Sequence, residues 1–388
     1  ASSDINAKPV RPSVVLASFI SLMCVGLIAH FKQHVPVVEL AWDAPSTMKF
    51  VYRDSSNECA LPFINCISVR HGPLPSLRED SVLVRIVGSA VSQDDIGVDF
   101  YAQNFLNTTL GWDAAGIVVA VGKSCDKFRV GDKVWSAILE SGEYFVGTGS
   151  LAEYAMLVCE YTGIAPSSVE LSAAGTLPFN AFTALSAFQS ARAPWTGEDF
   201  TVLVVAGTGG TGYSGVQMAK ALGATKVVAA AGHADGVAFV KSLGADVVVD
   251  FHTSSVFDAV ADGSVDLILE NHFVNASPGS PVLKKLKSPG GMLVSLVDAS
   301  IFNYNAAHPF HPLPGVSQWF HNAGNPDWLP RVGKNLDIIA SFVENGSLKV
   351  FVDETYDLDH IKEAYTQLML PGVKSRIGVV PGSTAEHV

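Results

Sequence analysis

The sequence predicts an α/β protein with a β-rich domain, a doubly wound parallel sheet and one N-terminal transmembrane helix. Three observations carry this. Residues Val14 to Phe31 run without a single charge. Short apolar runs punctuated by glycine fill residues 48–172. From residue 173 onward, strand-like and helix-like segments alternate around the turn Gly207-x-Gly209-x-x-Gly212.

Composition sets the outer limits. The chain has 388 residues, enough for two or three domains with a buried core. It is 48% hydrophobic, which excludes a disordered chain, and it carries no low-complexity repeat. Only 16% of residues are charged, well under the roughly 25% of an average soluble domain, so part of the surface is expected to meet a membrane or a partner. The net charge of −12, with no basic patch, argues against nucleic acid. The five cysteines form no CxxC pair. An odd count without metal spacing predicts free thiols, in a reducing or organellar compartment, rather than a disulfide framework.

The N-terminal tail, residues 1–47, contains VVLASFISLMCVGLIAHF over residues 14–31. A helix needs about 17–25 apolar residues to cross the hydrocarbon, so this run is just long enough. Lys8 and Arg11 before it and Lys32 after it do not fix a topology. A signal peptide's apolar core is typically shorter. A buried helix of the fold and a surface anchor stay open. The sequence starts at Ala1 without methionine, as expected for a processed chain. The expected partners are therefore a lipid bilayer and a membrane protein complex.

Beyond the tail, SVLVRIVGSAVS, GWDAAGIVVAVG and FRVGDKVWSA read as strands of a small barrel or sandwich. TVLVVA, KVVAAA, DVVVD, VDLILE and GMLVSLV then alternate with helical stretches, the pattern of a parallel sheet. The boundaries follow: one domain from residues 48–172 and 335–388, and an inserted dinucleotide-binding domain at 173–334.

The glycine turn lies directly after TVLVVA and directly before YSGVQMAKALGA. In that strand–turn–helix setting Gly207 permits the tight turn, Gly209 admits a pyrophosphate and Gly212 lets helix pack on strand. Gly210 and Thr211 complete the loop, whose amides face the phosphates at the helix start. A plain turn of a parallel sheet is the alternative. The second strand ends Ala231-Gly232-His233, with no carboxylate for a ribose 2′-hydroxyl. That favours NADP(H) over NAD(H). No Lys or Arg follows promptly either, leaving His233 as the only candidate for a 2′-phosphate, so the cofactor is expected to be held weakly or not at all.

The stretches LGWDAAGIVVAVG, FRVGDKVW, SLAEYAMLV, LSAAGTLPFNAFTALSAF, VLVVAGTGGTGYSGVQMAKALGA and VKSLGADVVVDF, in this order, resemble the medium-chain dehydrogenase/reductase superfamily and its zinc-free quinone oxidoreductase branch. The resemblance covers the chain from Met48 onward. It implies a GroES-like catalytic domain built from both ends of the chain, a Rossmann domain inserted between them, and an active site in the cleft. Zinc members of the superfamily place metal ligands at positions that here are Ser92, Trp112 and Phe179, none a usual zinc ligand. No metal is therefore expected. His308 and His311, beside prolines, read as surface loop residues.

The branch's Asn-x-x-Asp is Ser92-Gln93-Asp94-Asp95 here, keeping only the acid, and its 2′-phosphate lysine falls near Gly236. Its threonine near the nicotinamide matches Thr183. A tyrosine acid of related enoyl reductases falls near Gln103, two residues from Tyr101. The resemblance thus implies Ser92, Asp95 and Tyr101 on the substrate side, Thr183 and Asn271 near the nicotinamide ribose, and Gly232 with His233 at the adenosine end. The expected function is a membrane-anchored NADPH-dependent reductase of a quinone or enone, transferring hydride without zinc. The alternative is a catalytically weakened structural subunit of a large organellar complex. A third reading is a soluble enone reductase whose tail packs on a sister subunit. The expected location is an organellar membrane, with the mitochondrial inner membrane slightly ahead of a plastid membrane.

Overall fold

The computed structural model describes residues 44–53, 63–95, 109–138, 140–141, 144–145, 148–197, 199–272, 280–296, 310–313, 315–320 and 329–382. The expected transmembrane helix at 14–31, Tyr101, Gln103 and His308 lie outside the described residues. Among the described residues no helix is long and apolar enough to cross a membrane.

The first lobe opens with a hairpin of β1 (Met48–Arg53) and β2 (Ile67–Gly72). Its main sheet is centred on β3 (Ser81–Ala90), a long strand buried at nearly every position. β4 (Asp113–Val121) pairs antiparallel with β3, and β5 (Lys133–Ala137) with β4. A short hairpin, β6 (Glu140–Ser141) and β7 (Tyr144–Phe145), stands apart. β8 (Tyr154–Val158) returns to β3, and β9 (Thr162–Ile164) to β5.

This pairing overturns the reading of the cysteines as free thiols. Cys125 and Cys159 form a disulfide, with Cα atoms 5.8 Å apart. Cys66 is disulfide-bonded as well. The reason is topological. β4 ends and β8 ends at the same end of β3, where Val82 faces Val121 and Ser81 faces Val158. Two residues 34 apart in sequence are thereby neighbours, which spacing alone does not reveal.

Short helix α1 (Leu171–Ala174) and helix α2 (Pro178–Ser190) lead out of this lobe. Proline at the first position of α2 loses no intrahelical bond there. The parallel sheet follows: β10 (Thr201–Val204), α3 (Gly210–Ala221), β11 (Lys226–Ala231), α4 (His233–Ser242), β12 (Val247–Asp250), β13 (Leu267–Glu270), α5 (Pro281–Lys284) and β14 (Met292–Ser295). β15 (Phe310–Leu313) and β16 (Val316–Phe320) close it as an antiparallel pair. The strand order is β12-β11-β10-β13-β14-β16-β15.

The central strands read as unbroken apolar runs because both faces are covered. Val202 and Val204 point into one core with Phe182, Leu185, Val216 and Leu269, while Leu203 and Val205 point into the opposite one with Val228, Ile268 and Leu293. Burying each such side chain contributes about 1.5–3 kcal/mol.

Helix α6 (Val332–Glu344) follows, then β15's successors in the chain, β17 (Glu354–Tyr356), α7 (Ile361–Leu368) and β18 (Ile377–Val379). β18 pairs antiparallel with β3, with Gly378 opposite Ala90. The C-terminal strands thus join the sheet of the first lobe, and the residues just before β18 run past the parallel sheet.

Candidate active site

The strand order reverses between β10 and β13, so the crevice at their carboxyl ends is where a doubly wound sheet takes its ligand. Asn271, just after β13, ties the two strands together there. Its Oδ1 accepts from Ala206 N and its Nδ2 donates to Ala206 O, each at 2.9 Å.

The glycine turn divides its tasks. Gly207 N donates to Ala230 O at 2.7 Å, and a Cβ on Gly207 would lie 2.9 Å from Val240 Cγ1. A Cβ on Gly212 would lie 1.7 Å from Ala206 O, so helix and strand approach as only glycine allows. A Cβ on Gly209 would meet nothing within 4 Å. Gly209 caps α3 and opens on free space, with the unpaired first-turn amides of the helix behind it.

Two groups from outside the turn converge on it. A Cβ on Gly210 would lie 2.8 Å from Asn180 Cγ and 3.0 Å from Arg376 Cδ. Asn180, on the first turn of α2, accepts from Thr211 Oγ1 at 2.8 Å. Its Nδ2 is buried and has no partner. A buried donor left unpaired costs about 1–3 kcal/mol, so this one is expected to serve a ligand. Arg376 donates from Nε to Thr176 O at 2.9 Å and pairs with the buried carboxylate of Asp113. Burial pushes Asp113 up to about 6 against the pull of Arg376. Helix amides, an unpaired amide donor and a guanidinium are the donor set a pyrophosphate needs, so a dinucleotide fits here.

The chain reaches the adenosine end through the same segment. Ser375, in the left-handed region at φ 62°, donates from N to Thr208 O at 2.7 Å. One residue earlier, Lys374 Nζ lies 2.7 Å from Asp235 Oδ2, on the first turn of α4. Gly232 caps α4 and His233 opens it at φ 59°. The His233 ring stacks on His252 at 4.3 Å, and His252 on the exposed Phe251 at 4.3 Å. The reading of His233 as the only candidate cation is thus corrected. An ammonium stands at the same strand end, delivered from 141 positions further along by the return of the chain.

On the substrate side the expected residues part company. Asp95 is fully buried, so it does not line a cleft. Oδ2 accepts from Ser92 N and Tyr365 Oη, each at 2.9 Å, and Oδ1 from Gly111 N at 3.3 Å. Burial pushes its carboxyl up to about 7. Its neighbour Asp94 is the exposed one, bonded to Ser92 Oγ at 2.8 Å and within the field of Arg376. Thr183 is buried and donates back to Phe179 O at 2.8 Å. Both polar atoms of the Asn271 amide are held by Ala206, so Asn271 positions the strands rather than reaching towards a ribose.

Trp112 and Phe179 do come together, with ring centroids 5.5 Å apart at 36°. Phe179 N donates to Asp113 Oδ1 at 2.7 Å, which fixes the ring beside the Asp113–Arg376 pair. Among the described residues no three His, Cys, Asp or Glu side chains are grouped to hold a metal ion. Asn180, Lys374 and Arg376 were not legible as site residues. The available signal was the basic pair flanking one serine directly before the last apolar strand.

Two family models match the chain. Residues 78–166 match the alcohol dehydrogenase GroES-like domain, and residues 210–295 the zinc-binding dehydrogenase domain. This is the domain pair of the medium-chain dehydrogenase/reductase superfamily. A chloroplastic quinone-oxidoreductase homolog of Spinacia oleracea is 28% identical over 287 residues, covering 71% of this chain and 80% of its own. The chloroplastic NADPH-dependent alkenal/one oxidoreductase of Arabidopsis thaliana is 30% identical over 261 residues, covering 61% and 64%. The mitochondrial NAD(P)H oxidoreductase RTN4IP1 of Bos taurus is 28% identical over 294 residues, covering 72% and 71%. The quinone oxidoreductase structure from Coxiella burnetii superposes with a TM-score of 0.68 at 19% identity, over 87% of this chain and all of that one. That last likeness shows the fold alone.

Proposed function

We propose that the protein is a zinc-independent, NADPH-dependent reductase of a quinone or an enone. The observation that carries this is the unpaired, buried Asn180 Nδ2 beside Arg376 at Gly210, the residue after the open Gly209. The printed names of the relatives, quinone oxidoreductase and NADPH-dependent alkenal/one oxidoreductase, support the reaction class.

The nicotinamide supplies the hydride when bound. The chain's own part is placement. The first-turn amides of α3, Asn180 Nδ2 and Arg376 hold the pyrophosphate. Trp112 and Phe179 offer two aromatic walls to a flat conjugated acceptor. Aromatic side chains at positions that hold a metal in zinc relatives exclude water instead of binding an ion. The buried Ser92 Oγ donates to the exposed Asp94, and this pair passes the proton that balances the hydride.

Titrating the full chain with NADPH, then following NADPH loss at 340 nm with a benzoquinone and a 2-enone, tests the proposal. Saturable binding and turnover of either acceptor are expected. No binding at millimolar NADPH overturns it and leaves the structural-subunit reading standing.

The location belongs to the same proposal. Relatives named as chloroplastic and mitochondrial support an organelle. Anchoring through residues 14–31 rests on the uncharged run alone. Retention in the pellet after carbonate extraction of native membranes is expected, and release into the supernatant removes the anchor.

A further inference from the structure

We propose that Lys374 is the residue that selects NADP(H) over NAD(H), by pairing its ammonium with the ribose 2′-phosphate, and that Asp235 holds it in place until the nucleotide arrives. This rests on the nucleotide-binding reading above and adds the residue that discriminates between the two cofactors.

The position follows from three contacts. In a doubly wound sheet the 2′ position of the adenosine ribose falls at the end of the second strand, here Ala231 at the end of β11. Lys374 Nζ lies 2.7 Å from Asp235 Oδ2, four residues past that strand end. The backbone beside it is pinned over the glycine turn by the bond from Ser375 N to Thr208 O. Thr208 in turn packs towards α4, since a Cβ on Gly236 would lie 3.4 Å from Thr208 Cγ2. Lys374, Ser375 and Arg376 therefore follow the line a dinucleotide takes. Arg376 stands at the phosphate-binding end of α3, and Lys374 at the start of α4.

The charges around the ammonium favour a phosphate over a free hydroxyl. The carboxylate nearest to the strand end in sequence is Asp235, and it is already engaged by Lys374 and by the Gly236 amide. It is thus not an open acceptor for a 2′-hydroxyl. The second acid near Lys374 is Asp353, whose Oδ2 accepts from Lys374 N at 3.3 Å. The ammonium side chain is 30% exposed and Asp235 is 65% exposed, so the existing pair is a weak surface contact. A phosphate carries more charge and three acceptor oxygens, and displaces the carboxylate as the better partner. His233, stacked on the second imidazole of His252, is not needed for the task.

The test is calorimetric binding of NADPH and NADH to the full chain, in parallel with 2′,5′-ADP and 5′-ADP. Wild type is expected to prefer NADPH. Lys374→Gln should weaken NADPH by about 10–100-fold, the worth of a charge-assisted pair, and leave NADH within about 2-fold. Lys374→Arg should keep the preference. Asp235→Asn should tighten NADPH a few-fold and leave NADH unmoved, because the competing carboxylate is gone. Thermal melting of each variant checks that the fold persists. If both nucleotides bind but Lys374→Gln leaves their ratio unchanged, the assignment of Lys374 falls and the nucleotide reading stands. If wild type binds neither, both fall.

Discussion

Arg376 and Asp113 form an ion pair deep between the lobes, with side-chain exposures of 5% and 0%. Arg376 comes from the segment before β18 and Asp113 opens β4, so the pair joins two distant parts of the chain at the glycine turn. Removing one partner strands a buried charge. Arg376→Met should cost about 3–5 kcal/mol of stability and also lose nucleotide affinity. The double variant Arg376→Met, Asp113→Asn should regain much of the stability in denaturant melts. It should not regain nucleotide binding, and recovery of both would remove Arg376 from the phosphate site.

The three glycines of the turn should fail in different ways. Gly212→Ala places a methyl against Ala206 O and should destabilise at the upper end of the about 1–3 kcal/mol typical of overpacking, or beyond. Gly209 has φ −70° and ψ 166°, which any residue adopts, and open space around its Cβ position. Gly209→Ala should melt like wild type yet bind NADPH about 10-fold or more weakly, because the methyl occupies the phosphate approach. Unchanged binding would place the nucleotide elsewhere.

Asp95 links stability to pH. Its carboxyl is raised to about 7 by burial, from an ordinary value near 3.8. A carboxyl raised on folding binds its proton more tightly in the native state. Its contribution to stability is therefore full below about pH 4 and is lost as pH rises through 7. Asp95→Asn should flatten that part of the melting-temperature profile between pH 4 and 7.5. A variant whose profile keeps the wild-type slope in this window would assign the pH dependence to another group.

The Cys125–Cys159 disulfide closes a loop of 34 residues and should contribute about 4 kcal/mol in the chain-entropy picture. Replacing both cysteines by serine should lower the denaturation midpoint by a corresponding amount. Alkylation of the native, unreduced protein should leave both residues unmodified. Such a bond persists where the surroundings are oxidising.

What the sequence disclosed is what is local. β10, the glycine turn and α3 are contiguous, and the alternation of Val202 and Val204 against Leu203 and Val205 is written in adjacent residues. The roles of Gly207 and Gly212 follow from the same stretch. Arg376, Lys374 and Asn180 reach the turn only through the pairing of β18 with β3 and the placement of α2. Neither leaves a periodic signal near residue 207. Asp95 and Asn271 show the opposite error. The acid of a family motif, Asp95, and a polar residue at a strand end, Asn271, both read as ligand contacts, yet here both side chains satisfy nearby polar groups. Only the full set of hydrogen-bond partners separates the two cases.

The return of the chain to the glycine turn also sets an order in time. A growing polypeptide can complete β10 to β14 while Lys374 and Arg376 are still unmade. From Ser295 to Arg376 synthesis takes roughly 4–16 s at about 5–20 residues per second. During that interval the parallel sheet has its glycine turn but neither cation. Neither cation can therefore help a nucleotide guide the nascent sheet to its fold. On the proposed nucleotide site, full affinity awaits the docking of the C-terminal strand on β3, so tight occupancy would mark a molecule translated past Arg376.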